Sequence, residues 1–271
     1  MKKYRKIITP FLMGQWRDGL CRVRDIDYNP WEVLEVPECR EVILPNSDEK
    51  IQRMAKIYFL LSEKIKEMVN DDFIPVSIAG DCVSTLGVLA GLQKAGKQPE
   101  RILWLDAHGD FHTWETTQTK YIGGMPLAML VGRGDQRIVE MAGLKPYPEG
   151  QIVLADGRDL DPGEKEALQN SKVTRCRIAD ISKHLPRQDE SIYFHWDTDV
   201  VDAEKEMPAL KYHVKSGPSF SDMKALFESL ANRNIVAISV SAWHEEKDLH
   251  NKTATASLSL LNDLGVNISF T

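Results

Sequence analysis

The segment ILWLDAHGD, residues 102–110, decides the fold, because a short apolar run in it leads directly into a cluster of polar side chains. Residues 102–105 have the unbroken apolar character of a strand that is buried on both faces of a parallel sheet. In the extended chain that follows, residues i, i+2 and i+4 point to the same side. The spacing therefore predicts that Asp106, His108 and Asp110 converge on one point at the end of this strand.

A second segment, IYFHWDTD at residues 192–199, has the same construction. Its apolar run predicts a strand at 191–196, after which Asp197 and Asp199 share a face. A single aspartate at such a position is most often a helix cap or a loop residue. Here two sets of acidic residues occur, and the members of each set share a face at the end of a strand. This favours a chemical role instead, because carboxylates packed together repel one another unless cations lie between them.

Together the two clusters supply more ligands than one metal ion needs. Carboxylate oxygens with an imidazole suit manganese, iron, cobalt or zinc better than copper or an iron–sulfur cluster. We therefore expect a two-metal site with bridging carboxylates, which generates hydroxide from water at neutral pH.

The rest of the chain alternates between strands and helices. Apolar runs predict strands at 73–78, 151–155, 235–240 and 266–270, and amphipathic spacing predicts helices at 48–70, 84–95, 222–231 and 254–264. A further helix begins at Pro162, with Asp161 as its N-cap. The alternation predicts one α/β domain over residues 1–271, with a parallel sheet covered on both faces. Ligands of such sheets bind beyond the carboxyl ends of the strands, where the acidic clusters lie.

Composition limits the classes of protein and of partner. The 271 residues carry 34 Lys and Arg against 40 Asp and Glu, a formal net charge of −6, whereas a nucleic-acid binder usually has a basic excess. The four cysteines form no CxxC pair, which argues against a zinc knuckle or a dithiol motif. No apolar run approaches the roughly 20 residues of a membrane helix, and residues 1–8 lack the apolar core of a secretory signal. We expect a cytoplasmic protein with reduced thiols that binds a small molecule and neither nucleic acid nor membrane.

Five motifs, in this order, resemble those of the ureohydrolases, the family of arginase, agmatinase and formimidoylglutamase. They are AGDCV at 79–83, DAHGD at 106–110, GGMPL at 123–127, DGRDLDPGE at 156–164 and DTDVVDA at 197–203. The segment at 158–164 looks more like arginase than like agmatinase. The resemblance implies a three-layer α/β/α sandwich with a central, mostly parallel sheet, which agrees with the strand and helix pattern.

The resemblance also implies a site. Five of the six protein ligands of the family's dinuclear manganese centre are present. By resemblance, Asp106 and Asp197 would bridge the two ions, Asp110 would complete one, and His108 and Asp199 the other. The bridging hydroxide would be the nucleophile, with Asp110 and Asp197 as the catalytic carboxylates. The substrate-binding residues that the resemblance implies are Thr117, Thr119, Asp161 and Glu164. Because the family forms trimers and hexamers, we expect a homo-oligomer.

The chain departs from the family at the sixth metal ligand, a histidine, where it has Cys82. A thiolate there would be softer than an imidazole and would favour zinc or iron over manganese. Alternatively, Cys82 is a small buried side chain with no part in binding, and one metal site is then weak or empty. The sequence leaves both interpretations open.

Further departures concern catalysis and the substrate. The histidine that helps to shuttle protons in arginase is Gly123 here, and glycine does no acid–base work. Aligning the strand at 235–240 puts Ala242 where a glutamate of the family holds the guanidinium group. Glu245 and Glu246 follow, but strand direction makes either a poor substitute unless a bulge shifts the register.

Three other side chains stand near these motifs. His112 and Tyr121 replace small polar residues that contact the amino-acid end of the substrate in arginases. His195 lies two residues before Asp197 on the same strand face, where it would either orient a metal ligand or be packed in the core. We favour packing for His195, since a single histidine on an apolar strand is more often a core residue.

These observations favour a metal-dependent hydrolase of the ureohydrolase family that is not an ordinary arginase. It would cleave a non-peptide carbon–nitrogen bond in a linear amidine, guanidine or amide. The alternative is a catalytically impaired protein of the arginase fold with a binding or regulatory role. The missing histidine and glutamate favour this alternative, whereas the retained carboxylates favour the hydrolase, because such a density of charge is costly without metal.

Overall fold

The computed structural model describes residues 2–40 and 47–270 and places eight parallel strands in one sheet. In spatial order the strands are β4 (Trp31–Val33), β1 (Tyr4–Thr9), β5 (Ile74–Ala79), β10 (Ile235–Ser241), β9 (Ile192–Asp197), β6 (Arg101–Asp106), β7 (Ile152–Asp156) and β8 (Thr174–Cys176). Two short strands, β2 (Phe11–Leu12) and β3 (Gln15–Trp16), form a separate antiparallel pair.

Helices cover both faces of this sheet. They are α1 (Ser47–Asn70), α2 (Ser84–Lys94), α3 (Pro126–Leu130), α4 (Arg137–Ala142), α5 (Pro162–Gln169), α6 (Phe220–Leu230) and α7 (Lys252–Asp263). On one face α1 packs against α2 and α4, and elsewhere α6 packs against α7. None of the helices in the described ranges combines the length and the apolar character that crossing a bilayer requires.

Among the described residues, the protein has two hydrophobic cores. They form because side chains alternate between the two faces of a strand and recur every three or four residues on one face of a helix. Alternate residues of β6 point to opposite faces, so Ile102 and Trp104 join the core under α1, whereas Leu103 and Leu105 join the core under α6 and α7. In α1 the buried residues recur every three or four positions, which gives the helix one apolar face. The predicted α/β/α sandwich with a parallel sheet is therefore confirmed.

Four adjacent strands in the middle of the sheet end at the same edge. They are β5, β10, β9 and β6, whose last residues are Ala79, Ser241, Asp197 and Asp106. Because all four run in the same direction, the segments after them meet at this carboxyl edge. This arrangement brings the two acidic clusters together although about ninety residues separate them in the sequence.

The structure corrects some expectations. Residues 266–270 form no strand, and Phe270 makes one isolated bridge, to Asp27. Asp161 does occupy the N-cap position of α5, but its side chain makes no capping hydrogen bond, and its Oδ2 lies 3.3 Å from Nε2 of His112. Strand β1, which the sequence pattern did not predict, occupies an inner position of the sheet. The ends of the predicted domain, Met1 and Thr271, lie outside the described residues.

Candidate metal centre and substrate cavity

A cavity of about 640 Å³ opens at the carboxyl edge of the sheet. The acidic residues and histidines predicted for the metal site all line it, together with Cys82: they are Asp106, His108, Asp110, Asp197 and Asp199. The two clusters thus share one cavity rather than opposite ends of the sheet. Thr119, Asp161 and Glu164 line it as well.

One half of the cluster consists of Asp106, His108 and Asp199. Nδ1 of His108 lies 3.4 Å from Asp106 Oδ1 and 3.1 Å from Asp199 Oδ2. Backbone groups fix the carboxylates: the His108 amide donates to Asp106 and the Ala107 amide to Asp199. Burial by itself lowers the pKa of His108, yet its hydrogen bonds to the two carboxylates raise that pKa to about 12. Such a pKa indicates a strongly negative potential, the environment that a cation stabilises.

The other half consists of Cys82, Asp110 and Asp197. Sγ of Cys82 lies 2.9 Å from Asp197 Oδ2. Asp110 is 5% exposed, and its Oδ2 has no hydrogen-bond partner among the described residues. Asp110 also has a left-handed backbone conformation, with a φ of 51°. Its carbonyl accepts hydrogen bonds from the Leu127 and Ala128 amides, so the start of α3 in the GGMPL segment fixes this aspartate.

The carboxylates of the cluster destabilise one another. Burial and then the charge of Asp106 raise the pKa of Asp197 to about 6. Burial and the neighbouring carboxylates also raise the pKa values of Asp110 and Asp199 well above the ordinary range. Buried carboxylates in this state are either protonated or neutralised by cations. The donor set, with an unpartnered carboxylate oxygen, fits two divalent ions.

An additional imidazole belongs to this cluster. His195 on β9 is fully buried, and its Nε2 lies 3.3 Å from Cys82 Sγ. Its Nδ1 lies 2.8 Å from Ser239 Oγ on the neighbouring strand β10. The interpretation that His195 is only packed in the core is therefore incomplete. The signal that identifies it is the spacing of two from Asp197, which puts both side chains on one strand face.

Most of the residues expected to hold the substrate line the same cavity, beside the metal cluster. Oε1 of Glu164 accepts a hydrogen bond from the Phe111 amide at 2.8 Å. Burial raises the pKa of Glu164 to about 7. Nε2 of His112 lies between the carboxylates of Asp161 and Glu164, at 3.3 and 3.9 Å.

The two predicted threonines occupy different positions. Thr119 lines the cavity, but Thr117 is not among the residues that line it. Oγ1 of Thr117 instead lies 3.4 Å from Oγ1 of Thr119. A direct substrate contact by Thr117 therefore does not follow from the structure.

The end of β10 carries no carboxylate into the cavity. Ser241 is the residue of this strand that lines it, whereas Ala242 is buried in the core under α6 and α7. Ser241 rather than Ala242 is therefore the residue at the end of β10 that faces the cavity. Glu245 and Glu246 do not line the cavity, since each lies 2.7 Å from the guanidinium of Arg17.

A lysine that the sequence analysis did not single out lines the cavity. Lys211 is 5% exposed, and its Nζ donates a hydrogen bond to the carbonyl oxygen of Gly80 at 2.7 Å. Burial lowers its pKa, and the nearby carboxylates of Glu245, Asp197 and Asp81 oppose that effect. Lys211 comes from the irregular segment 203–216, whose sequence has no periodicity that would have predicted its position.

A tyrosine takes the space beside Gly123. A Cβ atom on Gly123 would overlap with the ring of Tyr121. Both residues line the cavity, and the Tyr121 ring lies 5.9 Å from the ring of Tyr212. Burial raises the pKa of Tyr121, so its hydroxyl keeps its proton at neutral pH. The Tyr121 ring thus occupies the space that a side chain at position 123 would enter.

Comparison with known proteins gives a consistent result. The model of the arginase family matches residues 16–265. The chain is 27% identical to the arginase of Bacillus caldovelox, over 97% of this chain and 98% of the relative. It is 30% identical to the N(omega)-hydroxy-L-arginine amidinohydrolase of Streptomyces lavendulae, over 69% of this chain and 66% of the relative.

Solved structures show the same fold. The native arginase of Bacillus caldovelox superposes with a TM-score of 0.84 at 23% identity, covering 98% of this chain and 99% of that one. The agmatine ureohydrolase of Thermoplasma volcanium superposes with a TM-score of 0.67 at 18% identity, covering 97% and 88%.

Proposed function

Because the chain belongs to the arginase family, we propose that it is a metal-dependent hydrolase that cleaves a non-peptide carbon–nitrogen bond in a substrate other than arginine. The observation that carries the proposal is the convergence of buried carboxylates with His108 in one cavity. Family membership by itself supports a metal-dependent hydrolase of guanidino compounds. The proposal that the substrate is not arginine rests on the other residues that line the cavity.

In this proposal each carboxylate has a definite role. Asp106 and Asp197 would hold both ions, Asp110 would hold one, and His108 and Asp199 would hold the other. When bound, the ions supply Lewis acidity and lower the pKa of water so that hydroxide forms near neutral pH. Asp110, whose Oδ2 has no hydrogen-bond partner among the described residues, would accept a proton at that oxygen. The phenol of Tyr121 is a hydrogen-bond donor beside the leaving group.

The choice of substrate follows from charge. A guanidinium cation needs a carboxylate, because an unpaired buried cation costs several kcal/mol. Ser241 supplies none, and Glu245 already pairs with Arg17 and interacts with Lys211. The ammonium of Lys211 disfavours a second cation and favours a carbonyl oxygen. We therefore propose a neutral linear amide as the reacting group.

In the same cavity, His112, Asp161 and Glu164 suit a polar end of the substrate. Protonated His112 would bind a carboxylate, and the two acids would bind an amine. The cavity retains the acids expected from the arginase-like segment at 156–164, so we propose an amino-acid-like substrate. We also expect the chain to assemble with copies of itself, which light scattering in solution would measure.

The test is a substrate screen on protein loaded with manganese, zinc or iron in separate preparations. Release of ammonia or urea is measured from arginine, agmatine, formimino compounds and linear amides, with Asp110→Asn as the inactive control. We expect turnover of an uncharged amide and its loss in the control.

One observation favours the alternative, a binding protein without turnover: Gly123 and the Tyr121 ring leave no imidazole at the shuttle position. Stoichiometric metal binding without release from any substrate would support that alternative. Rapid release of urea from arginine would contradict the proposed specificity.

A further inference from the structure

The environment of His195 prepares one of its nitrogen atoms as a ligand. His195 and Ser239 are paired across β9 and β10, and Nδ1 lies 2.8 Å from Ser239 Oγ. Ser239 Oγ also lies 2.5 Å from the hydroxyl of Tyr193. Donation of Nδ1–H to Ser239 leaves a lone pair on Nε2, which is the tautomer that a metal requires. Because Ser239 and Tyr193 are both buried, water does not compete for this hydrogen bond.

The lone pair of Nε2 faces other acceptors. Sγ of Cys82 lies 3.3 Å from this nitrogen, 2.9 Å from Asp197 Oδ2 and 3.8 Å from Asp106 Oδ2. Sγ, Nε2 and a carboxylate oxygen of Asp106 all lie within 4.8 Å of one another. The single thiol proton satisfies one of these acceptors, so the remaining lone pairs face one another. A cation between them removes this repulsion.

The distance between the Cys82 sulfur and the His195 nitrogen agrees with that between two ligands of one metal ion. Zinc–sulfur and zinc–nitrogen bonds of about 2.3 and 2.0–2.1 Å place the two ligand atoms of a tetrahedral site roughly 3.6 Å apart. The distance from Cys82 Sγ to His195 Nε2 is 3.3 Å. Both side chains are buried, so an ion between them is shielded from water.

We propose that Cys82 and His195 together bind one ion of the centre, with Asp106 and Asp197, and that this half-site selects zinc, iron or cobalt over manganese. The inference rests on the proposed function only in taking the cluster to be a metal centre. In the family that the chain resembles, position 82 carries the imidazole. Here the imidazole comes instead from the neighbouring strand β9, and a thiolate occupies the original position.

The selectivity follows from the donor atoms. Thiolate and imidazole ligands favour zinc, iron and cobalt, whereas manganese is suited to carboxylate, carbonyl and water oxygens. The half-site of Asp106, His108 and Asp199 keeps the harder donor set. The centre is therefore asymmetric, with one ion bound by sulfur and the other by oxygen and a single imidazole. On binding, the proton of the Cys82 thiol would leave to solvent.

The experiment is a titration of cobalt into metal-free protein, read by absorption and by elemental analysis. A thiolate ligand gives a sulfur-to-cobalt charge-transfer band in the near ultraviolet, which does not depend on activity. We expect wild type to bind two ions per chain and to show the band. Cys82→Ser loses the band, whereas Cys39→Ser, which changes a buried cysteine away from the cavity, retains it.

The variant His195→Gln tests the imidazole. We expect one of the two ions to bind at least about 100-fold more weakly, which exceeds most losses from removing a residue that only orients a ligand. Ser239→Ala keeps the imidazole and removes the partner of Nδ1, so we expect a loss of about 10–100-fold. Circular dichroism identifies any variant that does not fold. If His195→Gln does not fold, the metal affinity of Ser239→Ala, which is the smaller change, decides whether His195 takes part in binding.

Each remaining outcome has a definite meaning. Wild-type affinity for both ions in His195→Gln would overturn the role of His195. A charge-transfer band that persists in Cys82→Ser would overturn the role of the thiolate. Asp199→Asn is expected to lose the other ion and keep the band. If neither wild type nor any variant binds an ion, the proposed function itself is overturned. If only Asp199→Asn loses both ions, while Cys82→Ser and His195→Gln keep them, the inference alone is overturned.

Discussion

Glu164 is the clearest place to test the electrostatics of the cavity, because its carboxylate is buried on α5 and accepts a hydrogen bond from the Phe111 amide. Burial raises its pKa from 4.5 to about 7. The folded state therefore holds this proton over a range of pH in which the unfolded chain has released it. The contribution of Glu164 to stability is highest below pH 4.5 and decreases as the pH rises to about 7.

The magnitude follows from the two pKa values. A rise from 4.5 to about 7 corresponds to about 3 kcal/mol of lost stability above pH 7, at about 1.4 kcal/mol per pH unit. Glu164→Gln keeps the oxygen that accepts from Phe111 and has no charge to bury. We therefore expect the metal-free variant to be more stable than wild type by up to about 3 kcal/mol at pH 8, with a smaller gain at pH 5.

The assay is urea unfolding in the presence of a chelator, followed by circular dichroism at pH 5 and pH 8. Glu166→Gln is the matched control, because Glu166 lies on the same helix and is exposed. The difference between variants therefore reports the titration of Glu164 together with its charge interactions with Asp106 and Asp110. An equal stability difference at both pH values would refute the reasoning, and so would an equal gain in the control.

Three more predictions concern the metal centre and the substrate. Asp197→Asn is expected to bind at most one ion per chain by elemental analysis, since it removes a carboxylate that we propose to bridge the two ions, and two retained ions would contradict bridging. Manganese-loaded protein is expected to release urea from arginine ~10²–10⁴-fold more slowly than an ordinary arginase, because Gly123 does no acid–base work, and a normal rate would contradict this. Gly123→Ala is expected to destabilise the protein by about 1–3 kcal/mol in urea unfolding, because its Cβ overlaps with Tyr121. If this overlap is the cause, adding Tyr121→Ala to Gly123→Ala recovers part of the lost stability. If the losses of the two single variants simply add in the double variant, the overlap is excluded as the cause.

Much of the sheet is predictable from the sequence because its strands are buried on both faces. The apolar runs before Asp106 and Asp197 lie in β6 and β9, and the helical spacing at 48–70 corresponds to α1. Strand β1 escapes this pattern, because Lys6 interrupts its apolar residues. Its ammonium is buried against Asp27, a partner twenty-one residues away that no local pattern identifies.

The sequence by itself singled out the residues of the candidate metal cluster, because each set directly follows an apolar strand. The segments after these strands are not extended as expected, since Asp110 has a left-handed backbone and Asp199 lies in a 3₁₀ turn at Thr198–Val200. The parallel order of β9 and β6 is what brings the two sets to one edge. Only the tertiary structure decided the surroundings of that cluster. The register of β10 against β9 puts Ser241 rather than Ala242 in the cavity and places Ser239 beside His195. The irregular segment 203–216 brings Lys211 to Gly80. The physical reason is that a periodic backbone fixes the direction of neighbouring side chains locally, whereas contacts between distant segments depend on how strands and loops pack in three dimensions.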